Sequence, residues 1–417
     1  MPAGLPEIDG ALLQNRIDEL SLITEAEPPA VTRVLFSDAD LRGREYVAGL
    51  CLKAGLSLRV DAVGNMFARW AGSAPDAAAV ATGSHIDAVP NAGKFDGVVG
   101  VIGGITAIEA LQMADFKPVR SIEVVVFTAE EPTRFGIGCL GSRMLAGALP
   151  PDKVAALRDP EGQSLEDLRR RADLTEPLET VALPENCYSA FVELHIEQGP
   201  LLEKENIPIG IVQAIAGPSA YRVRITGEGG HAGALLMPGR HDASLAAAEL
   251  ALAVEKAALA SGSPDTVATT GKWHIFPNAI NSVPCDVMLE IDLRDTCLET
   301  RDRALMLMRE TSDEIAARRG VMMVWDEINS DPPAEGDPRT IAITEDVALK
   351  LDLATKRMVS RAYHDSLFMA RICPTTMIFI PSKDGYSHRP EEHSEPAHIA
   401  AGTRVLAGTL ARLSHEP

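Results

Sequence analysis

Residues 77–87 read Ala77-Ala78-Ala79-Val80-Ala81-Thr82-Gly83-Ser84-His85-Ile86-Asp87, a short apolar run that stops on a polar cluster. A run of this length, bounded by polar and turn residues, suits a strand buried on both faces of a parallel sheet. The same event recurs along the chain. Ser121 to Thr128 is rich in β-branched residues and ends on Ala129-Glu130-Glu131. Phe191 to Leu194 ends on His195-Ile196-Glu197, and the strand predicted over Thr376 to Pro381 leads to the loop Ser387-His388-Arg389-Pro390-Glu391. Val98 to Met113 is apolar and rich in small residues, and reads as a buried helix. Strands alternating with helices predict an α/β architecture with a mostly parallel sheet between helices. Open sheets of this kind gather ligand sites at the C-terminal ends of their strands, where each of these clusters falls.

The middle of the chain follows another pattern. Tyr221 to Ile225 alternates, and Val283, Cys285, Val287, Leu289, Ile291 and Leu293 alternate with polar neighbours such as Asp286, Glu290, Asp292 and Arg294. Such strands have one covered and one open face. Helices expected over about Asp242 to Ala260 and Glu299 to Arg318 would supply the cover. At 417 residues two domains are the default. We expect residues 1–212 and 329–417 to form one domain and 213–328 to be a smaller α+β insertion. Alternation resumes after Asp331-Pro332-Pro333 and closes in a helix near His398 to Leu413.

Composition excludes several classes. A formal charge of −20 argues against nucleic acid, which requires clustered Lys and Arg. No apolar run reaches the length of a membrane span, and Met1 to Gly10 carries no basic segment of a signal peptide. Cys51, Cys139, Cys187, Cys285, Cys297 and Cys373 fit neither a zinc ribbon nor a disulfide framework, so free thiols in the cytoplasm are expected. An anionic substrate would need a focal positive group, a metal or an Arg, because the overall field repels it.

Three histidines (His85, His195, His388) and several carboxylates therefore converge on predicted strand ends. Imidazole with carboxylate suits Zn, Mn, Co or Ni, and the absence of thiolates argues against a structural zinc. One bridging carboxylate with two further donors per ion describes a two-metal hydrolase. A carboxylate outside that set could take a proton from water acidified by the ions. Taken singly, His-x-Asp or Glu-Glu is more often a satisfied surface pair; the combination and order carry the signal.

Gly83-Ser84-His85-Ile86-Asp87, Asn91-Ala92-Gly93-Lys94-Phe95-Asp96-Gly97, Thr128-Ala129-Glu130-Glu131, Glu193-Leu194-His195-Ile196-Glu197-Gln198-Gly199-Pro200, Gly230-His231-Ala232-Gly233 and Gly385-Tyr386-Ser387-His388 together resemble a known family. It is the co-catalytic metallopeptidase-like amidohydrolases, in the branch of N-carbamoyl-L-amino-acid, allantoate and ureidoglycolate amidohydrolases. The resemblance runs from about residue 14 to the C-terminus. It implies an aminopeptidase-like catalytic domain, an inserted lid domain that forms a homodimer, and two divalent cations per subunit, Mn or Zn by family habit.

The resemblance also implies roles. Asp96 would bridge the two ions, with His85 and His195 on one and Glu131 and His388 on the other. Glu130 would be the general base, and Asp87 would orient His85 through its far ring nitrogen. His195 stands where peptidase relatives carry an acid, which points to the ureide branch. His231 would stabilise the oxyanion, in its own or the neighbouring subunit's site. Gln198, Asn281 and Arg294 would hold the substrate carboxylate, the Arg fork suiting it better than Lys. Gly233 to Pro238 and Ser360 to Ala370 are most similar to ureidoglycolate amidohydrolases. In that run Tyr363 either donates to a substrate hydroxyl or fills space, and His364 with Asp365 supports the substrate site. The expected activity is hydrolysis of a linear C–N bond in a small anionic ureido acid, with release of ammonia. The alternatives are N-carbamoyl-L-amino-acid hydrolase, β-ureidopropionase or allantoate amidohydrolase. A silent binding protein on the same scaffold would be expected to have lost Glu130 or a metal donor.

Overall fold

The computed structural model describes residues 7–416, which form two compact units. The larger comprises the chain up to Gln213, Glu335–Met358, and the chain from His364 onward; the smaller comprises Ala214–Ala334 with Val359–Tyr363. The expected insertion, 213–328, is shorter than this unit. Its strand Met322–Ser330 runs past residue 328, and the Ala216 amide donates to the Ser360 carbonyl, which ties in the second segment.

Four parallel strands make the middle of the larger unit's nine-stranded sheet, in the order Thr375–Ile380, Tyr188–Ile196, Ala79–His85, Ile122–Phe127. Antiparallel strands flank them: Ile209–Ile215 on one side, Met66–Trp70 and Ser57–Val60 on the other. Successive side chains of a strand point to opposite faces, so each central strand divides between two cores. Val80, Val124, Val126, Val192 and Leu194 pack with the helices Val98–Met113 and Pro396–Ser414. Ala81, Val125, Phe127 and Phe191 pack on the other face with Met144 and Met369. The helix Val98–Met113 is buried almost all round, as its apolar sequence requires. It lies close because Gly100 has no side chain; a Cβ there would stand 2.4 Å from the Leu194 carbonyl oxygen.

The central strands outrun their apolar stretches. His85 pairs with Phe127, and His195 pairs with Phe379. A parallel ladder extends the strand into polar sequence, so both imidazoles stand on rigid backbone rather than on loops.

The smaller unit is a four-stranded antiparallel sheet, ordered Val267–Phe276, Asp286–Asp295, Gly217–Thr226, Met322–Ser330. Val223, Ile225, Val287, Leu289, Ile291 and Leu293 form its core with helices Ala243–Leu259 and Leu298–Arg319. The opposite face carries exposed ion pairs such as Arg222–Glu290 and Arg224–Asp286. This is the one covered and one open face that the alternation predicts. No helix among the described residues is long and apolar enough to cross a membrane, and all six cysteines are free.

Candidate metal centre and active site

His85 ends its strand and Asp87 follows it; Asp96 lies in the loop before the helix Val98–Met113. Glu130 and Glu131 follow Ile122–Phe127, His195 is the penultimate residue of Tyr188–Ile196, and His388 lies in the loop after Thr375–Ile380. All belong to the larger unit.

Asp96 stands at the centre. Its Oδ1 is 3.1 Å from His195 Nε2 and 3.7 Å from His85 Nε2, while its Oδ2 is 3.2 Å from His388 Nε2. Glu131 Oε1 is 3.1 Å from His388 Nε2. Two donor triads result, His85–Asp96–His195 and Asp96–Glu131–His388, which share Asp96. Both imidazoles of the first triad have their far nitrogen on a main-chain carbonyl: His85 Nδ1 on Asp87 at 3.0 Å and His195 Nδ1 on Ile196 at 2.9 Å. A carbonyl there takes the Nδ1 proton and leaves the Nε2 lone pair facing Asp96, the tautomer a metal ligand requires. His195 Nε2 also accepts from the Gly97 amide at 3.1 Å. The loop turns tightly there: Gly97 has φ +67°, and a Cβ on it would stand 2.5 Å from the His85 ring.

Asp87 hydrogen-bonds His85 Nδ1 through its main-chain carbonyl, and its carboxylate Oδ1 lies farther off, at 3.6 Å. The carboxylate instead spans the strand end, accepting from the amides of Glu130 at 3.3 Å and Glu131 at 3.0 Å. Glu130 belongs to neither triad. Its Oε2 is 3.8 Å from His85 Nε2, and its Oε1 accepts from the Cys139 thiol at 3.6 Å.

Electrostatics follow from crowding acids in a dry place. Asp87, Asp96, Glu130, Glu131 and Asp365 are all buried. Burial pushes the Glu130 carboxyl well above its usual range, with Glu131, Asp365 and Asp96 adding to the effect against His85. Burial likewise lifts Asp87 to about 6. For Asp96 burial is outweighed by the imidazoles of His195, His388 and His85 around it, which hold it well below the usual range. Hydrogen bonds to Asp96 and Glu131 raise His388 to about 11. A buried carboxylate left without a counter-ion costs several kcal/mol, on the order that empties such a site of charge. Three imidazoles cannot offset five acids, so this donor set is built for added positive charge. Nitrogen and oxygen donors around a shared carboxylate fit divalent cations of the Zn or Mn kind.

The other expected residues divide between the units. Gln198 Nε2 donates to Asp96 Oδ2 at 2.7 Å, and its Oε1 is a buried acceptor without a donor. His364 is buried with its ring 4.5 Å from that of His195, and it meets Phe379 edge to face at 5.7 Å. His231, Asn281, Arg294 and Tyr363 belong to the smaller unit. There His231 pairs with Ser282, and the Ala232 amide donates to the Asn281 carbonyl, which brings the first two together. His231 Nδ1 accepts from the Gly233 amide at 3.1 Å, leaving Nε2 as an exposed N–H donor. Arg294 forks onto Asp292 at 2.7 and 2.9 Å, and its guanidinium lies 5.2 Å from the centre of the Tyr363 ring.

The sequence matches the peptidase family M20/M25/M40 over residues 81–412. The chain belongs to this family. It is 51% identical over 414 residues to a ureidoglycolate hydrolase of Oryza sativa subsp. japonica, covering 98% of this chain and 85% of that one. To an N-carbamoyl-L-amino acid amidohydrolase of Geobacillus stearothermophilus it is 37% identical, covering 98% and 99%. The crystal structure of AtUAH in complex with glyoxylate superposes with a TM-score of 0.91 at 50% identity, over 99% of both chains. This M20/M25/M40 member is thus a hydrolase with the family's α/β fold, of the kind that acts on carbon–nitrogen bonds outside peptides.

Sequence reading of this family member overlooked several residues of the site. Glu193, two residues before His195 on the same strand face, accepts from Ser84 Oγ at 2.7 Å and Ser366 Oγ at 2.6 Å. An acid inside an apolar strand is the signal that could have found it. Asp365, singled out only beside His364, accepts from Ser142 Oγ at 2.5 Å. Glu392 gave no comparable signal, since Glu391-Glu392 reads as a solvated loop pair.

Proposed function

We propose that this chain is a binuclear metal-dependent hydrolase of a small anionic ureido acid, with ureidoglycolate as the substrate and ammonia as a product. The observation that carries the reading is Asp96 with one carboxylate oxygen on each donor triad, beside a buried carboxylate, Glu130, that belongs to neither. The names and 51% identity of the ureidoglycolate hydrolases support the choice of substrate.

Two divalent cations, held by His85, His195, Glu131, His388 and the shared Asp96, would polarise the ureide carbonyl and make water between them more acidic. Mn and Zn lead among the candidates, with Co or Ni also suited to these donors. Glu130 takes a proton from the attacking water and returns it to the leaving nitrogen. Burial raises its pKa, the direction that makes a carboxylate a stronger base. His231 offers Nε2–H to the developing oxyanion. Arg294, braced by Asp292 and the Tyr363 ring, takes the substrate carboxylate with Asn281, and the unmatched Gln198 Oε1 accepts a substrate N–H or hydroxyl.

Dimerisation through the smaller unit is part of the same reading. Its edge strand Val267–Phe276 and the following turn expose Trp273, Ile275, Phe276 and Ile280, apolar side chains on an unpaired edge. Six free thiols suit a reducing compartment, and we place the enzyme in the cytoplasm.

The test is ammonia release by Mn-loaded protein from ureidoglycolate, allantoate, N-carbamoyl-β-alanine and several N-carbamoyl-L-amino acids. A lead of about a hundredfold for ureidoglycolate in kcat/KM, roughly 2.7 kcal/mol, supports the reading. A carbamoyl amino acid in the lead keeps the mechanism and overturns the substrate.

A further inference from the structure

Glu392 is a buried acid that the proposed chemistry does not use. Its Oε1 accepts from two consecutive amides of the Asp96 loop, Phe95 at 2.8 Å and Asp96 at 3.1 Å. Its Oε2 lies 3.0 Å from Ser387 Oγ, the neighbour of His388, and the same hydroxyl lies 2.7 Å from Asp96 Oδ2. One side chain thus touches the backbone of one donor, the loop of another and, through Ser387, the far oxygen of Asp96. The loop is fitted to it: a Cβ on Gly93 would stand 2.3 Å from Glu392 Cβ.

We propose that Glu392 is a positioning residue that clamps the Asp96 loop to the His388 loop and so fixes the spacing of donors between the two triads. The proposal rests on the reading of Asp96 and His388 as metal donors. Asp96 and His388 both stand on loops, whereas His85 and His195 stand on strands, so the second triad has two loop-borne donors to hold in place and the first has only Asp96. Groups that orient ligands typically contribute a 10- to 100-fold effect on metal affinity.

The experiment is calorimetric titration of metal-stripped protein with Mn²⁺ alone, and separately with Zn²⁺ alone, at 25 °C. Melting of the stripped protein is followed in parallel by circular dichroism. Glu392→Ala is expected to weaken at least one site 10- to 100-fold while stripped helix content stays the same. Glu392→Gln keeps the double amide acceptor and reaches Ser387 with its amide nitrogen, and should bind within a few fold of the parent. Affinity of Glu392→Ala within threefold of the parent overturns the clamp, even if its melting temperature falls, since that result describes a packing residue. Glu392→Gln as weak as Glu392→Ala overturns it in favour of charge. Should Glu392→Ala not fold, Ser387→Ala is read by the same criterion: weakened binding supports the clamp and parental affinity overturns it. A parent chain that binds neither cation removes the metal reading and the clamp together, whereas an unaffected Glu392→Ala removes the clamp alone.

Discussion

Glu130→Gln tests the division of labour at the centre. The change keeps shape and removes the charge and the proton-accepting oxygen. Glu130 lies outside both donor triads, 3.8 Å from His85 Nε2, so two equivalents of cation should remain bound. General-base catalysis is worth about 10²- to 10⁴-fold. Burial, with Glu131, Asp365 and Asp96 nearby, raises the Glu130 pKa, the direction that makes it a stronger base. We expect kcat to fall roughly 10²- to 10⁴-fold, about 2.7 to 5.5 kcal/mol, with KM little changed. The assay is ammonia release by the Mn-loaded variant beside its metal content. A variant keeping a tenth of the parental kcat would refute the assignment, and one that loses a cation would make Glu130 a donor instead. Stability gives an independent sign. A carboxyl whose folded pKa exceeds its ordinary 4.5 binds its proton more tightly in the folded state, so it costs stability as pH rises above that value. Stripped Glu130→Gln should therefore melt higher than the stripped parent at pH 8 and close to it near pH 4.

His388, held protonated by Asp96 and Glu131 with a pKa of about 11, makes cation and proton compete for Nε2. Metal uptake by stripped protein should release protons, and affinity should fall about tenfold for each unit by which pH is lowered, per proton displaced, as calorimetry in buffers of different ionisation heat can count; uptake without proton release contradicts this. The same group stabilises the stripped fold fully below its ordinary 6.5, a contribution lost as pH rises through about 11. Gly97→Ala places a Cβ against the His85 ring at φ +67°, costing about 1–3 kcal/mol of backbone strain alone. Metal affinity should drop tenfold or more, and a parental value by calorimetry would show that the loop yields freely. Arg294→Lys keeps the charge and loses the fork, so KM for an anionic substrate should rise about tenfold or more with a smaller effect on kcat; unchanged KM would place the carboxylate elsewhere. Light scattering should find a dimer, and Trp273→Asp a monomer; a monomeric parent ends that part of the reading.

What the sequence made legible was whatever local periodicity and strand ends encode. Val98 to Met113 is apolar all round and folds as a buried helix; Val283 to Leu293 alternates and has one open face. His85, Glu130, Glu131 and His195 could be placed at strand ends because parallel strands bury both faces and their apolar runs stop where polar clusters begin. Distances across the fold were not legible. Nothing local in Glu392 says that it reaches residues 297 positions away, and nothing in Asp87 separates its carbonyl from its carboxylate as the group that holds His85. The second segment of the smaller unit, Val359–Tyr363, escaped for the same reason: five residues are too few to show a period.

The chain's charge explains why the positive elements of the site are so concentrated. At −20 overall the protein repels a small anion at long range, and salt screens this repulsion beyond roughly 8 Å at physiological strength. Inside the site the acids outnumber the imidazoles, so without cations the centre would repel a carboxylate at short range as well. On the proposed reading, cations held around Asp96 would reverse that sign close to it, and Arg294 would supply a directional charge in the smaller unit. Its fork is already held by Asp292, so the cost of ordering it is met before any anion arrives, and a bound carboxylate must compete with that aspartate.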